Sequence, residues 1–246
     1  MDDGGDVVAV VGQDPDRKAL VTSLESAKAS VREVDPTADH HSAFAPIAVV
    51  VLDEESLRWV ARSSLSAPVL AVDTGPAFAS HARSEAGAAL ERLLAGSAPT
   101  TEEPILTVDV DGQPPATAFF EVVLTTSEPA KISEFSVATA SRPVTSFRAD
   151  GIVAATPAGS AGYARAAGGP VLGPGSDCLA VVPIAPFRTH RDRWVLALDS
   201  RPALTVERDE EPVSLVIDGH DAGEIPPGTP VELERRGSLP LALSPQ

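Results

Sequence analysis

Short apolar runs recur in the first hundred residues. Residues 6–11, 47–52 and 69–72 are rich in Val, Ile and Leu, which predicts three strands. The run at residues 47–52 (IAVVVL) has no polar alternation, so both faces of that strand are expected to be buried, as in a parallel sheet.

Longer segments of helical spacing lie between these runs. Asp14 and Pro15 predict a helix start. Apolar residues continue that helix at intervals of three or four, at Leu20, Leu24, Ala27 and Val31. Residues 56–62 and 77–94 predict two more helices. This alternation of strand and helix predicts right-handed crossover units in an α/β N-terminal lobe.

The composition changes near residues 96–104, where Gly, Ser, Thr and Pro predict a linker. Short apolar runs separated by Pro and Gly turns follow, which predicts a β-rich C-terminal lobe. The predicted strands are residues 105–110, 118–124, 132–137, 152–155, 179–182, 194–198, 213–217 and 231–233. We therefore expect two domains, residues 1–99 and 100–246, with the C-terminal end free to pack back on the first lobe.

The chain is strongly acidic. Its 246 residues include 35 Asp and Glu against 19 Lys and Arg, a net charge of −16. This charge repels phosphate backbones and anionic lipid, and no basic stripe offsets it, so we expect no nucleic-acid or membrane partner. An excess of acidic residues with only three lysines is typical of halophilic proteins, because molar salt screens their self-repulsion. An acidic interaction face is the alternative explanation.

Other chemistry is sparse. Cys178 is the only cysteine, which excludes an intrachain disulfide and a thiolate metal cage. The five histidines show no metal-ligand spacing, so no protein-bound metal is expected. The N-terminal residues lack the basic region of a signal peptide, and no apolar run reaches the length of a membrane helix. These features favour a cytoplasmic protein.

One stretch departs from the short-strand pattern: residues 147–172, FRADGIVAATPAGSAGYARAAGGPVL. Within it, residues 151–155 predict a strand, residues 156–159 a tight turn, Ser160 an N-cap and residues 161–167 a short helix. A turn of small residues before a helix N-terminus leaves backbone N–H groups for a phosphate. A plain strand–helix corner, in which Gly and Pro serve only the turn, accounts for the turn chemistry equally well.

The order of residues in this stretch resembles the signature of the NAD kinase family, a strand followed by T-P-T-G-S-T-A-Y and then S-A-G-G-P. The matching residues are Thr156, Pro157, Gly159, Ser160, Tyr163, Ala167, Gly168, Gly169 and Pro170, preceded by Arg148, Asp150 and Gly151. Residues 116–131 and 214–228 resemble the family's Asn-Glu and Asp-Gly-Gln segments.

The resemblance implies an α/β N-terminal lobe and a β-rich C-terminal lobe with NAD held in the cleft between them. Members of the family transfer a phosphoryl group from ATP or polyphosphate to the 2′-hydroxyl of the adenosine ribose of NAD. They use a divalent metal such as Mg²⁺ and usually form homodimers or tetramers.

The resemblance also assigns dinucleotide contacts. The residues expected to bind NAD(P) are Glu121, Arg148, Asp150, Thr156, Gly159, Ser160, Ala161, Gly162, Tyr163, Ala164, Arg165, Ala166 and His220. Glu121 would hold ribose hydroxyls or the adenine side, and His220 stands where the family has Gln.

The family's other signature, G-G-D-G-T after the second strand, is replaced here by Asp53, Glu54 and Glu55. Side chains occupy the positions where phosphate approaches, and three carboxylates repel a triphosphate. Asp53 and Glu55 are candidate catalytic residues, as a general base on the acceptor hydroxyl. An acidic helix N-terminus is the alternative explanation of this run. Phe120 likewise replaces the Asn of the Asn-Glu pair.

Three functions remain open at this point. The first is an NAD kinase with an unusual donor loop, which would require ATP and Mg²⁺. The second is a non-catalytic protein that binds NAD(P) or another nucleotide and acts as a regulator or as a subunit partner of an active kinase. The third is a structural or assembly subunit with an empty cleft.

Overall fold

The structure is a computed structural model, and it describes residues 7–12, 20–22, 24, 30–35, 45–63, 65–127, 132–187, 192–208 and 213–245. The chain divides into two compact units. The N-terminal unit comprises Met1–Glu103 and Leu239–Gln246, and the C-terminal unit comprises Pro104–Ser238. Within the described ranges, no helix is both long enough and apolar enough to cross a membrane.

A parallel sheet forms the centre of the N-terminal unit. Its strands are β1 (Val7–Val11), β2 (Ser30–Val34), β3 (Ala48–Val51), β4 (Val69–Val72) and the short β5 (Ser80–His81). The strands pair in the order β2-β1-β3-β4-β5, all parallel. Every residue of β3 and β4 is buried, as the unbroken apolar run at residues 47–52 predicts.

Two helices of this unit are described over their whole length, α1 (Glu54–Arg62) and α2 (Ala86–Leu94), and residues 20–22 and 24 are also helical. The predicted single helix over residues 77–94 is wrong in its first half, where β5 and a 3₁₀ turn at Arg83–Glu85 precede α2. β5 forms because it pairs with the end of β4, a contact that helical periodicity does not reveal. Val31, predicted to be helical, lies in β2, and the predicted helix start at Asp14 and Pro15 lies outside the described residues.

The C-terminal unit is built from antiparallel strands. In chain order they are β6 (Thr100–Val110), β7 (Ala116–Ala118), β8 (Glu121–Thr126), β9 (Ser133–Thr139), β10 (Arg142–Ala149), β11 (Gly151–Ala155), β12 (Cys178–Ile184), β13 (Trp194–Ala197), β14 (Ala203–Arg208), β15 (Val213–Ile217), β16 (His220–Glu224) and β17 (Pro230–Ala242). One sheet has the order β13-β12-β11-β8-β15-β16, and a second set has the order β10-β9-β14-β17. Alternate residues of these strands form one apolar core that includes Phe135, Leu124 and Ile152.

Several predicted boundaries differ from the structure. The predicted linker at residues 96–104 is wrong in its second half, because β6 begins at Thr100. The predicted strand at residues 118–124 is interrupted at residues 119 and 120, between β7 and β8. β10, β14 and β16 were not predicted, since none of them has a continuous apolar run.

Candidate functional site

The centre of the candidate site is the corner that follows β11. β11 is buried along its whole length and lies between β8 and β12 in the sheet. The antiparallel register places Ala155, the last residue of β11, opposite Glu121, the first residue of β8. The strand therefore delivers the turn at residues 156–159 beside the start of β8.

Thr156 joins this turn to the segment before β8. Its backbone N–H donates to the Phe120 carbonyl at 2.9 Å, and its hydroxyl donates to the carbonyl of Phe119 at 2.6 Å. The same hydroxyl oxygen accepts the N–H of Gly159 at 3.3 Å. Thr156 is fully buried, so these bonds form away from water, where an unsatisfied partner would be costly.

Gly159 is required by close approach. A Cβ at this position would lie 2.1 Å from the Phe120 carbonyl oxygen and 2.5 Å from its carbon. The backbone at Gly159 is in the ordinary right-handed region, so the constraint is steric and does not come from a left-handed conformation. Only glycine lets the turn lie directly on Phe120.

The helix after the turn is less regular than expected. It is a π-helical turn at Ser160–Ala164, interrupted at Gly162, whose ψ is −121°. The predicted N-cap at Ser160 is wrong: the cap position is Gly159, without a side-chain cap. The buried hydroxyl of Ser160 instead donates to the Pro157 carbonyl and accepts the N–H of Leu172, which ties the turn to the chain beyond the helix.

Two glycines and an arginine close the helix, and the second glycine, Gly169, donates its N–H to the Ala164 carbonyl at 2.8 Å. Gly168 has φ +86° and its N–H donates to the Arg165 carbonyl, as in a left-handed helix end. Arg193 donates from Nε to the Gly168 carbonyl at 2.9 Å and from Nη2 to the Ala167 carbonyl at 3.3 Å. The sequence indicated a helix end here but gave no sign of Arg193.

The outer surface of the corner is open. Ala161, Gly162 and Tyr163 are exposed, as are Arg165 and Ala166, whereas Ala164 is buried. An ideal Cβ built on Gly162 would have the Glu121 Oε2 atom at 4.0 Å and nothing nearer among the described atoms. The structure thus brings a carboxylate beside a small-residue backbone, and the exposed Tyr163 is the next residue along the chain. A carboxylate in such a place can accept hydrogen bonds from paired ribose hydroxyls.

Asp218, which was not predicted as a site residue, holds the start of β8. Its carboxylate accepts the N–H groups of Phe119, Phe120 and Glu121 at 2.8, 2.7 and 2.9 Å. The dipeptide Asp218-Gly219 after an apolar strand was the available signal for a turn, but nothing local indicated its partners. His220 follows this turn as the first residue of β16 and is exposed.

Arg148 and Asp150 lie at the other end of β11. Arg148 lies in β10, and its register partner is Glu134 of β9. The Asp150 carbonyl accepts the N–H of Thr126. Six residue steps separate Asp150 from Thr156, which is about 20 Å of extended chain. The structure therefore does not bring Arg148 and Asp150 together with Glu121 and the turn within one chain.

Asp53 and Glu55 lie in the N-terminal unit at the start of α1. Asp53 is the N-cap, and its Oδ1 accepts the backbone N–H and the hydroxyl of Ser56, both at 2.7 Å. Glu55 forms ion pairs with Arg62 at 2.7 Å and with Arg58 at 3.4 Å, and Glu54 pairs with Arg58 at 2.9 Å. The acidic run is thus engaged in starting the helix.

Gly12 explains why the Asp53 side chain fits at the end of β1. Gly12 has φ +142°, and a Cβ there would lie 2.8 Å from the Asp53 Oδ2 atom. Parallel β1 and β3 place these two residues side by side, beyond the paired residues Val11 and Val51. The Asp53 carboxylate lies where the carboxyl ends of two parallel strands meet, the edge at which α/β sheets bind ligands.

The described residues offer little other reactive chemistry. Burial, and secondarily the charge of Asp177, raise the pKa of the Cys178 thiol, so it is protonated at neutral pH. Within the described ranges, no three His, Cys, Asp or Glu side chains gather so as to hold a metal ion.

The chain is similar to known NAD kinases. The sequence pattern of the ATP-NAD kinase C-terminal domain matches residues 120–238. An NAD kinase of Methanosarcina acetivorans is 33% identical over 185 residues, covering 74% of this chain and 67% of that relative.

Two solved structures share the fold. An NAD kinase from Archaeoglobus fulgidus in complex with ATP has a TM-score of 0.75 at 19% identity, covering 96% of this chain and 92% of that one. Yeast NADH kinase complexed with NADH has a TM-score of 0.79 at 16% identity, covering 99% of this chain and 85% of that one. The α/β N-terminal unit and the β-rich C-terminal unit thus have the two-domain architecture of these proteins.

Proposed function

Because this chain belongs to the NAD kinase family, we propose that it binds an NAD-type dinucleotide at the corner after β11 and catalyses the family's reaction. In that reaction the 2′-hydroxyl of the adenosine ribose attacks the γ-phosphorus of ATP, the bond to ADP breaks, and the hydroxyl proton is released. The products are ADP and NADP⁺.

One observation carries the proposal. The turn at residues 156–159 is held against Phe120, and the surface beside it, at residues 161–163, is exposed and forms an open mouth. Thr156 and Gly159 fix the turn, and Gly162 leaves room next to the Glu121 carboxylate. A ligand approaching this mouth meets backbone, a carboxylate and a tyrosine ring, and little bulk. These features suit a ribose with two hydroxyls and an adjoining aromatic base. The NADH bound to the yeast relative is a ligand of this class.

The phosphoryl-donor side departs from the family, and we expect slow turnover for that reason. Phosphoryl transfer depends on positioning and on neutralising phosphate charge. Asp53, Glu54 and Glu55 add negative charge where a triphosphate would approach, and the Ser56 N–H is already bonded to Asp53. In this proposal Mg²⁺ would enter with ATP and neutralise part of the phosphate charge.

The direct test is an assay for NADP⁺ on the purified full-length chain. The buffer should contain molar KCl, because the excess of acidic residues favours a protein adapted to high salt. NAD⁺ and NADH are each offered with Mg²⁺ and either ATP or polyphosphate, and product is measured by enzymatic cycling. Phosphorylated product supports the proposal. Absence of product with every donor, alongside an active archaeal NAD kinase as control, refutes catalysis.

A second candidate function is non-catalytic NAD(P) binding, in a regulator or in a subunit partner of an active kinase. The observation that favours it is the N-cap at Asp53, which engages the acidic run in helix formation. Calorimetry separates the candidates: binding of NAD⁺ or NADP⁺ without turnover supports the second, whereas no binding of either refutes both. Light scattering on the same samples tests whether the chain is the homodimer or tetramer that we propose.

A further inference from the structure

Asp218 occupies a turn whose geometry is unusual for a non-glycine residue. It follows β15, is 4% exposed, and has φ +50°. Asp and Asn adopt this left-handed conformation more readily than most residues do. The conformation aims the side chain at the segment before β8.

Asp218 forms hydrogen bonds with both backbone groups of Glu121. The Oδ1 atom of Asp218 accepts the Glu121 N–H at 2.9 Å, and the Asp218 N–H donates to the Glu121 carbonyl at 2.9 Å. Oδ1 also accepts the Phe120 N–H, and Oδ2 accepts the Phe119 N–H. One residue therefore satisfies both backbone groups of Glu121 and two preceding amides.

Thr156 holds the same segment from the opposite direction. Its hydroxyl and its N–H donate to the carbonyls of Phe119 and Phe120. The N–H groups of this segment thus bond to Asp218, and these carbonyls bond to Thr156. Phe119 and Phe120 lie between β7 and β8, so regular strand pairing does not hold these two residues.

We propose that Asp218 is a positioning residue for nucleotide binding: its carboxylate sets the place of Glu121, whose own carboxylate then meets the ligand beside Gly162. This inference rests on the function proposed above. Asp218 itself is buried beneath the segment and acts through Glu121.

The substitutions that test the proposal have distinct effects on the contacts. Asp218→Asn keeps the side-chain shape and the tolerance for positive φ, but places an NH₂ group against one of the three N–H donors. Asp218→Gly removes all three bonds while relieving any cost of the left-handed backbone. If Asp218 served only to form the turn, Asn and Gly would both be neutral. The matched control is Asp221→Asn, since Asp221 is exposed on the adjoining β16 and its Oδ1 atom accepts the N–H of Gly223, two residues along the same strand.

The first measurement does not depend on any ligand. Hydrogen exchange of the full chain is compared among wild type, Asp218→Asn, Asp218→Gly and Asp221→Asn. We expect amides 119–121 to exchange at least tenfold faster in Asp218→Gly, and at least one of them to do so in Asp218→Asn, with β12 and the control variant unchanged. Unchanged exchange at residues 119–121 would overturn the proposal, even if the protein binds no nucleotide.

The second measurement is a double-mutant cycle on NAD⁺ affinity by calorimetry, with Glu121→Gln as the partner variant. We expect Asp218→Asn to raise Kd at least tenfold in the wild-type background and less than twofold in the Glu121→Gln background, because Asp218 acts through that carboxylate. Equal fold-changes in the two backgrounds would show that Asp218 supports the fold and does not position Glu121. Absence of NAD⁺ and NADP⁺ binding to wild type would refute the proposed function alone, and the exchange result would still decide the role of Asp218 in holding the segment.

Discussion

Substitution of Gly159 by Ala tests the steric basis of the corner. The added Cβ would lie 2.1 Å from the Phe120 oxygen and 2.9 Å from its Cα. These atoms belong to a backbone that Asp218 and Thr156 hold, so they cannot rotate away as a side chain would. To relieve this clash, the turn and Phe120 would have to move apart by about 1.3 Å, so that the distance from the added Cβ to the Phe120 oxygen rises from 2.1 Å to the 3.4 Å at which ordinary contacts begin.

The expected cost follows from the bonds that such a separation stretches. Overpacking typically costs about 1–3 kcal/mol. Each weakened hydrogen bond between Thr156 and the Phe120 segment adds about 1 kcal/mol. Alanine has less conformational entropy than glycine in the unfolded chain, which offsets this loss of stability by about 0.4–1 kcal/mol. We therefore expect a net destabilisation of about 2–4 kcal/mol, or a fall in Tm of about 6–12 °C for a chain of this size.

The assay is thermal unfolding followed by circular dichroism, with Gly237→Ala as the matched control. A Cβ on Gly237 meets no atom within 4 Å, and Gly237 is not among the glycines with positive φ. The control is expected to unfold within about 2 °C of wild type. If Gly159→Ala unfolds at the same temperature as Gly237→Ala, the close approach of the turn to Phe120 is not a constraint and the reasoning fails.

Three further predictions concern single side chains. Asp53→Ala removes the N-cap bond to Ser56 and should cost about 1 kcal/mol by thermal unfolding, whereas Asp53→Asn should preserve stability and abolish NADP⁺ formation if Asp53 is the general base. Thr156→Val removes the bond to the Phe119 carbonyl and should lower the free energy of unfolding in urea by about 1–3 kcal/mol. Thr156→Ser keeps the hydroxyl and should retain most of that free energy. Burial lowers the pKa of His81 below its ordinary 6.5, so stability should fall as the pH drops from 6.5 toward that lowered value and then level off.

The His81 prediction follows from proton binding. The unfolded chain binds the proton at higher pH than the folded chain does, so protonation favours unfolding within that window. The His81 Nε2 atom lies 3.3 Å from the Ala242 carbonyl oxygen, a contact that a glutamine can replace without titrating. His81→Gln should therefore remove this part of the pH dependence of Tm. An unchanged pH profile would mean that another group is responsible.

Local sequence determined much of the secondary structure and part of the site. The apolar runs that form β3, β4 and β11 are buried on both faces in the structure. Because a strand buried on both faces needs no polar alternation, apolar composition alone predicted these three strands. The helix α1 was predicted over residues 56–62, two residues short of its start at Glu54, and an acidic helix N-terminus was only the alternative interpretation of residues 53–55. The turn at residues 156–159 followed from its Gly and Pro content, and the resemblance of residues 147–172 pointed to the family.

Only the tertiary structure decided which side chains meet. Asp218 contacts Glu121 across 97 positions, and Thr156 contacts Phe119 across 37, because the register of neighbouring strands in the sheet sets those distances. The pattern of apolar, Gly and Pro residues along the chain predicts burial and turns, because both depend on residues close together in the sequence. The site depends on pairings between distant strands, and these are determined only when the sheet forms.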